Sequence, residues 1–114
     1  MQDTATEAQF QTALINLASA TGWFVHHGRK VQNRAGRWET PIAGHPGFPD
    51  LVLVHSTRGL IVAELKSAGG RVGSGQQRWL DMLGDHVEVH VWRPADWDQI
   101  VKRLTQHTEE NTAT

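Results

Sequence analysis

Residues 47–66, GFPDLVLVHSTRGLIVAELK, decide the central part of the fold. Two short runs in this stretch, residues 51–54 and 60–63, are apolar and rich in β-branched side chains. Turn-forming residues, STRG at 56–59, lie between them. This pattern predicts two antiparallel strands joined by a tight turn. A hairpin of this kind brings Asp50, before the first strand, close to Glu64, near the end of the second.

The strand register decides which polar side chains share a face. Glu64 and Lys66 are two residues apart on one strand, so they point the same way. Two registers, 55 paired with 59 and 56 paired with 60, set Asp50 on that face, opposite Glu64 or Lys66 respectively. A third register, 55 paired with 60, turns Asp50 away. A shared function for the three side chains therefore predicts one of the first two registers.

Two carboxylates on one face repel each other unless a cation lies between them, and their hard oxygen atoms suit Mg²⁺ or Mn²⁺. Such a site can polarise a phosphodiester and activate a water, while Lys66 positions the water or stabilises transition-state charge. The alternative is an ordinary hairpin with Glu64 and Lys66 paired at the surface. However, Glu64 interrupts an otherwise apolar run, residues 60–65, where an unpartnered charge is unfavourable. Its location therefore favours a functional carboxylate.

Two motifs in this stretch, Gly47-Phe48-Pro49-Asp50 and Ala63-Glu64-Leu65-Lys66, resemble the signature of the PD-(D/E)xK nucleases. The fuller pattern, from about residue 7 to residue 104, resembles the VRR-NUC branch in its small stand-alone form from phages and bacteria. The resemblance implies an α/β fold with a restriction-endonuclease-like αβββαβα core, in which helices flank a mixed central sheet. It also implies five catalytic positions: Glu7, Asp50, Glu64, Lys66 and Gln77.

With the resemblance included, we expect a metal-dependent DNA endonuclease. Asp50, Glu64 and the backbone carbonyl of Leu65 are the expected ligands of Mg²⁺ or Mn²⁺. Family analogy favours branched DNA, such as a Holliday junction, as substrate. Cutting both strands needs two active sites, so a two-fold homodimer is expected. Two alternatives remain open, a catalytically inactive DNA-binding module with the same fold and a non-enzymatic interaction protein.

Glu7 has a second interpretation. Thr4 and Glu7 fit a capping box, in which Thr4 caps the helix and Glu7 bonds back to it. Helical spacing from Phe10, Leu14 and Leu17 nevertheless places Glu7 on the apolar stripe that faces the sheet. That placement favours a role in the active site.

Gln77 has a rival in its neighbour. Ser74 and Gln77 also fit a capping box. Gln76, in contrast, is in line with Leu80 and Leu83 by helical spacing. The family position matches Gln77, so Gln77 is the predicted site residue and Gln76 the alternative.

The net charge of -1 hides an uneven distribution, because two stretches, residues 26–38 and 65–80, contain basic residues and no acidic one. Both stretches flank the predicted site in sequence, and basic side chains there can hold DNA phosphates. A solvated basic loop is the alternative. Six residues are the candidate DNA contacts: Arg29, Lys30, Arg34, Arg37, Arg71 and Arg78.

Composition limits the remaining possibilities. With 114 residues, 39% of them hydrophobic, the chain is expected to form a single nuclease-like domain over residues 1–104, followed by a polar, disordered tail over 105–114. The absence of cysteine excludes disulfides and thiolate zinc sites. No apolar segment predicts a membrane span or signal peptide, so a cytoplasmic location is expected, in the bacterial host if a phage encodes the protein. Gln76 replaces the lysine of a P-loop, which argues against a nucleotide cofactor.

Outside the hairpin, the pattern predicts a helix over 6–21, a strand over 23–27, a polar loop to residue 47, a helix over 75–83, a strand over 87–92 and a last helix capped by Asp96. Because a helix connects them, the strands over 60–66 and 87–92 should be parallel.

The seven histidines form no recognisable zinc motif. His45, beside the Pro49-Asp50 motif, is a possible substrate contact.

Overall fold

Three helices flank a four-stranded mixed sheet, and this confirms the predicted α/β, restriction-endonuclease-like class. The computed structural model describes residues 1–28, 31–32, 34–39 and 43–106. The helices are α1 (Glu7–Ala20), α2 (Ser74–Gly84) and α3 (Trp97–Thr105), with a 3-10 turn at Pro94–Asp96 before α3. The strands are β1 (Phe24–His27), β2 (Val31–Gln32), β3 (Trp38–Glu39), β4 (Leu51–His55), β5 (Gly59–Leu65) and β6 (Glu88–Trp92).

The main sheet has the strand order β1-β4-β5-β6. β4 is antiparallel to both β1 and β5, whereas β6 is parallel to β5, as the crossover through α2 predicted. The prediction that the segment between β1 and β4 is a polar loop throughout is wrong in one respect. The central part of this segment forms a separate two-stranded ribbon, β2 paired with β3, which the short and irregular sequence pattern did not indicate.

The hairpin register is the one that unites the polar side chains. His55 pairs with Gly59 and Leu51 pairs with Ala63, so Asp50 lies opposite Glu64. This confirms the first of the two registers that a shared function required. Gly59, at the turn, has φ = +111°, a backbone conformation that favours glycine.

The main core lies on one face of the sheet, under α1 and α3. On β5 the alternating residues Ile61, Ala63 and Leu65 point into this core. Burial of these apolar side chains is the dominant stabilising contribution to the fold. The remaining core side chains come from both helices and the adjacent strands: Phe10, Leu14, Ala18, Trp23, Leu51, Leu53, Trp92, Ile100 and Leu104.

The opposite face of the sheet carries the polar residues of the hairpin and is partly covered by α2. Val62 is buried there beside its strand partner Val89, which in turn packs against Gly84 of α2. Leu80 of α2 is buried as well. Because residues on a strand alternate between faces, Glu64 points to this same side. The fold therefore places Glu64 beneath the start of α2.

The helix boundaries agree with those predicted from the sequence to within one or two residues. The N-terminal cap of α1, however, is formed by other residues than Thr4 and Glu7. Thr6 is the N-cap, where its hydroxyl oxygen accepts from Gln9 N at 3.1 Å and Gln9 Oε1 accepts from Thr6 N at 2.9 Å. The alternative interpretation of Thr4 and Glu7 as a capping box is therefore wrong. Asp96 precedes α3 as predicted, although its carboxylate accepts from Arg93 N instead of capping that helix.

The last helix runs to Thr105, one residue before the end of the described chain. Most of the predicted tail, residues 107–114, lies outside the described residues. Within the described part of the chain, no helix combines the length and apolar character that crossing a membrane requires.

Candidate active site

Asp50 is fixed at the edge of the sheet by hydrogen bonds from both neighbouring strands. Its backbone carbonyl accepts from Gly28 N at 3.2 Å, just after β1. Its side-chain Oδ2 accepts from Leu65 N at 2.9 Å, at the end of β5. These contacts hold the carboxyl group next to Glu64 and leave it little freedom to turn away.

Glu64 is a buried carboxylate, with only 1% of its surface exposed. Its Oε2 atom accepts a hydrogen bond from Gln76 Nε2 at 2.8 Å and lies 3.2 Å from Lys66 Nζ. Its other oxygen, Oε1, is also buried and has no hydrogen-bond partner among the described residues. An unpartnered buried oxygen is rare in folded proteins and often marks the place of an ion or water.

The environment of Glu64 disfavours its charged form. Burial and, to a smaller extent, the nearby negative charge of Asp50 raise the pKa of its carboxyl group. Lys66 opposes both effects, and the net result is a pKa of about 7. A divalent cation between the two carboxylates would reverse this balance, because it supplies positive charge and a partner for Oε1. The donor set therefore fits a hard divalent cation.

Lys66 lies at the carboxyl end of β5, where its side chain is 13% exposed. Its backbone N–H donates to Trp92 O at 3.0 Å and so extends the parallel pairing with β6. The ammonium group is close enough to Glu64 to form an ion pair and still reaches the surface. This position allows Lys66 to contact a bound phosphate or water directly.

Arg93 holds the loop that follows Lys66 through hydrogen bonds, a role that no sequence motif predicted. Its Nη1 atom donates to Ser67 O and to Gly70 O, both at 2.7 Å. A signal existed, because parallel strands end at the same edge of a sheet. The residue after β6 must therefore lie beside the residues after β5, where Arg93 holds the loop that follows Lys66.

The structure brings Gln76, the alternative, to Glu64, and not the predicted Gln77. Gln76 Oε1 accepts from Gly73 N at 2.8 Å, which orients its amide so that Nε2 faces Glu64. Gln77 is exposed and donates to Asp81 Oδ1 at 2.8 Å. The N-cap of the helix is Gly73 instead of Ser74. Gln77 follows Gln76 and therefore points about 100° away from it around the helix axis.

Gly47 fixes how closely the start of α2 approaches the loop before Asp50. It has φ = +102°, and a Cβ atom there would lie 2.7 Å from the Gly75 backbone carbon and 2.8 Å from Gln76 N. Neither backbone atom can move without moving the helix. The glycine therefore permits the contact that places Gln76 over Glu64.

Glu7, the first residue of α1, is exposed. One helical turn later, Gln11 contacts His27, and this contact directs the start of α1 toward the edge of the sheet that carries Asp50. Within the described residues, no group of three or more His, Asp or Glu side chains is arranged to hold a metal. Asp50 and Glu64 are thus brought together, whereas Glu7 does not complete a three-ligand cluster with them.

The candidate DNA contacts are only partly covered by the structure. Four of them are exposed: Arg34, Arg37, Arg71 and Arg78. Arg71 lies in the loop organised by Arg93, and Arg78 lies on α2 two residues after Gln76. The other two, Arg29 and Lys30, lie outside the described residues.

The fold and the carboxylate pair together are typical of a nuclease-type α/β domain. Residues 27–96 match the sequence profile of the VRR-NUC domain. The match covers more than half of the chain, so the protein belongs to the VRR-NUC family of nuclease domains. It includes Asp50, Glu64, Lys66 and Gln76, but α1 with Glu7 lies before it. No curated protein and no solved structure matches the chain.

Proposed function

We propose that this protein is a divalent-metal-dependent DNA endonuclease that hydrolyses phosphodiester bonds at the Asp50–Glu64 edge of the sheet. The observation that carries the proposal is the buried Glu64 carboxylate, whose Oε1 has no partner among the described residues. A domain that had no use for a cation would gain stability by replacing this group with an apolar or amide side chain.

Asp50, Glu64 and the Leu65 backbone carbonyl are the proposed ligands of Mg²⁺ or Mn²⁺. When bound, such an ion polarises the phosphodiester and lowers the pKa of a coordinated water. Membership of a nuclease family supports the use of a divalent metal, and the oxygen donors agree with it.

The side chains around the two carboxylates have distinct proposed roles. Lys66, held 3.2 Å from Glu64, orients the attacking water or stabilises charge that develops on the phosphate. Gln76 holds the Glu64 carboxylate in place through its amide. We assign this position to Gln76 in preference to Gln77 because only Gln76 contacts Glu64. Glu7 remains a proposed participant that acts from the start of α1 once DNA and metal are bound.

DNA is the proposed substrate, held by exposed arginines around the site. Arg71 and Arg78 lie on the two sides of Gln76 in sequence, and both are exposed. Phosphate contacts of this kind position a duplex without reading its sequence. A preference for branched DNA, including Holliday junctions, follows from family analogy. Cutting both strands of such a substrate requires two active sites. Because DNA is the substrate, we place the activity in the cytoplasm of a bacterial cell, including a phage-infected one.

A two-fold homodimer would supply the second active site. An exposed apolar row supports this part of the proposal, because Phe24, which is 83% exposed, pairs with Val54, and Val54 pairs with Leu60. All three side chains lie on one face of neighbouring strands, and β1 is an edge strand of the main sheet. An edge strand with apolar side chains can pair with its own copy about a two-fold axis.

The proposal is tested by incubating the protein with supercoiled plasmid and with a labelled four-way junction, in Mg²⁺, Mn²⁺ or chelator. We expect cleavage that requires metal and is lost in Glu64→Ala. The relative rates on the two substrates show whether branched DNA is preferred.

Two other outcomes would support the alternatives. DNA binding that is equally strong with chelator, without any cleavage, would indicate an inactive DNA-binding module. Absence of both DNA binding and divalent-ion binding would indicate an interaction protein.

A further inference from the structure

A cavity of about 570 Å³ lies between α2 and the loop before Asp50. Its lining is mainly apolar, with Pro46 on the loop side and Trp79, Met82 and Leu83 on the helix side. Met82 is 61% exposed. The volume is within the range of pockets that bind small organic groups. Of its lining residues, only Arg78, a proposed phosphate contact, has a role in the function proposed above.

The cavity and the carboxylate pair are close to each other, because they share the same two structural elements. Pro46 and Gly75 line the cavity, and the adjacent residues, Gly47 and Gln76, meet in the close contact at the start of α2. Gln76 then bonds to Glu64. Only the backbone contact between Gly47 and the start of α2 therefore separates one end of the cavity from Gln76 and Glu64.

Trp79 provides a fixed aromatic surface in the cavity wall. Its indole N–H donates to His45 O at 3.1 Å, and its ring packs edge-to-face against Phe48, with ring centroids 5.0 Å apart. The loop that carries the Asp50 motif thus holds the tryptophan in place. A fixed aromatic ring next to apolar side chains is suited to stacking with a planar group.

The polar part of the lining is basic. Among the described residues it comprises Arg78 and two histidines, His45 and His86, and none of the described carboxylates lines the cavity. Arg78 is exposed and forms no ion pair with a carboxylate of the described residues. A planar apolar group that carries an adjacent negative charge therefore complements this cavity.

We propose that the cavity binds an unpaired nucleobase of the DNA substrate, with the adjoining phosphate at Arg78. This inference rests on the proposed nuclease function, and it names the feature by which the enzyme selects its substrate. A paired base cannot leave the stack without loss of pairing and stacking energy, whereas a bulged or branch-point base is already available. The cavity then favours cleavage near unpaired nucleotides.

Binding is measured by fluorescence anisotropy in chelator and at fixed salt, so that DNA remains intact. Three labelled probes of equal length separate the contributions: a perfect duplex, the same duplex with one unpaired thymine, and the same duplex with an abasic residue at the bulge. We expect the bulged thymine to bind about tenfold more tightly than the duplex. The abasic bulge, which keeps the bend and the phosphate, should lose most of this gain.

Two variants locate the effect in the cavity. Met82→Glu places a carboxylate among the apolar lining residues, and we expect it to remove the preference for the bulged thymine while duplex affinity falls no more than in its control. Asn16→Glu is that control, since it introduces the same charge at an exposed position of α1. Arg78→Ala should weaken bulge binding more than the charge-matched control Lys102→Ala on α3.

Each outcome has a separate meaning for the two proposals. Plasmid cleavage without any bulge preference, or with a preference that Met82→Glu leaves intact, would overturn the nucleobase pocket and leave the nuclease proposal standing. Bulge preference that depends on Met82, without cleavage in any metal, would support the pocket and overturn the nuclease. Conversion of a dimer to a monomer by Met82→Glu would show that the cavity is an interface between copies, which also overturns the pocket.

Discussion

The amide of Gln76 connects the start of α2 to the buried carboxylate of Glu64. Its Oε1 accepts from Gly73 N at 2.8 Å, and its Nε2 donates to Glu64 Oε2 at 2.8 Å. The first bond sets the orientation of the amide and the second holds the carboxylate. Glu64 Oε1 is left without a hydrogen-bond partner in the part of the chain that the structure describes, and it is available to a cation.

This relationship predicts different effects for two neighbouring glutamines. Gln76→Ala should lower cleavage by about tenfold to a hundredfold, because residues that orient a metal ligand typically have effects of this size. Gln77→Ala, a matched change on the exposed side of α2, should leave cleavage near the wild-type rate. Single-turnover cleavage of a labelled junction measures both. Equal losses in the two variants, or a loss only in Gln77→Ala, would contradict the assignment.

A second pair of variants tests how the helix is positioned. Gly47→Ala should lower the free energy of unfolding by about 2–4 kcal/mol, because the residue has positive φ and its new Cβ would overlap the α2 backbone. Gly75→Ala is the matched control, since its Cβ would lie at an ordinary 3.4 Å from Pro46 O. It should leave stability unchanged or raise it by up to about 1 kcal/mol. Urea unfolding with circular dichroism distinguishes the two, and an unaffected Gly47→Ala would refute the contact.

The raised pKa of Glu64 predicts how the metal-free protein responds to pH. Burial, with Asp50 adding to it, raises this pKa from the ordinary 4.5 to about 7. Below about pH 4.5 the group is protonated in both the folded and unfolded states. Between that pH and about 7 the unfolded chain ionises first, so the folded state loses stability as pH rises, by an amount on the order of 1–3 kcal/mol.

Glu64→Gln isolates this contribution, because the amide does not ionise. The difference in unfolding free energy between wild type and Glu64→Gln, measured in chelator from pH 4 to pH 9, should shift in favour of the variant as pH rises. A constant difference across this range would show that the Glu64 pKa is not raised.

Arg93 should act on the active site by positioning the loop after Lys66. Arg93→Ala removes the hydrogen bonds to Ser67 O and Gly70 O, so we expect a loss of about 1–3 kcal/mol in stability and a lower kcat. Arg71→Ala, in the same loop but exposed, should raise KM with little change in kcat or stability. Steady-state cleavage kinetics test the split. An unchanged kcat in Arg93→Ala would mean that the loop does not support Lys66.

The apolar row on the sheet predicts where copies of the chain associate. Phe24→Asp should convert a dimer to a monomer, because it places a charge at the most exposed member of the row. Met82→Glu is the matched control, since Met82 is also apolar and exposed but lies on α2. Sedimentation velocity measures the mass of each. A wild-type protein that sediments as a monomer would contradict the homodimer.

Much of the site could be predicted because the hairpin is local in sequence. A four-residue turn between two apolar runs leaves few registers, and the one observed sets Asp50 opposite Glu64. The parallel pairing of β6 with β5 followed from the length of the helical connection. These features depend on strand alternation and chain connectivity, both of which are visible in the sequence.

The details that the sequence did not give depend on contacts between distant segments. The close approach of Gly47 to the Gly75 backbone fixes how near α2 lies to the loop before Asp50, and in this arrangement the helix begins after Gly73 and Gln76 reaches Glu64. Local capping patterns at Ser74 could not reveal it. The loop hydrogen bonds of Arg93 likewise join residues more than 20 positions apart, and no spacing pattern encodes them.

The most direct test of the central claim, that Asp50 and Glu64 hold a divalent cation, is calorimetric titration of the DNA-free protein with Mn²⁺ at pH 8. We expect saturable binding to the wild type and a loss of at least tenfold in affinity in Glu64→Gln, which keeps the shape of the side chain but removes its charge. The same titration with Gln77→Ala should match the wild type. Absence of Mn²⁺ binding, or equal binding by wild type and Glu64→Gln, would contradict the account.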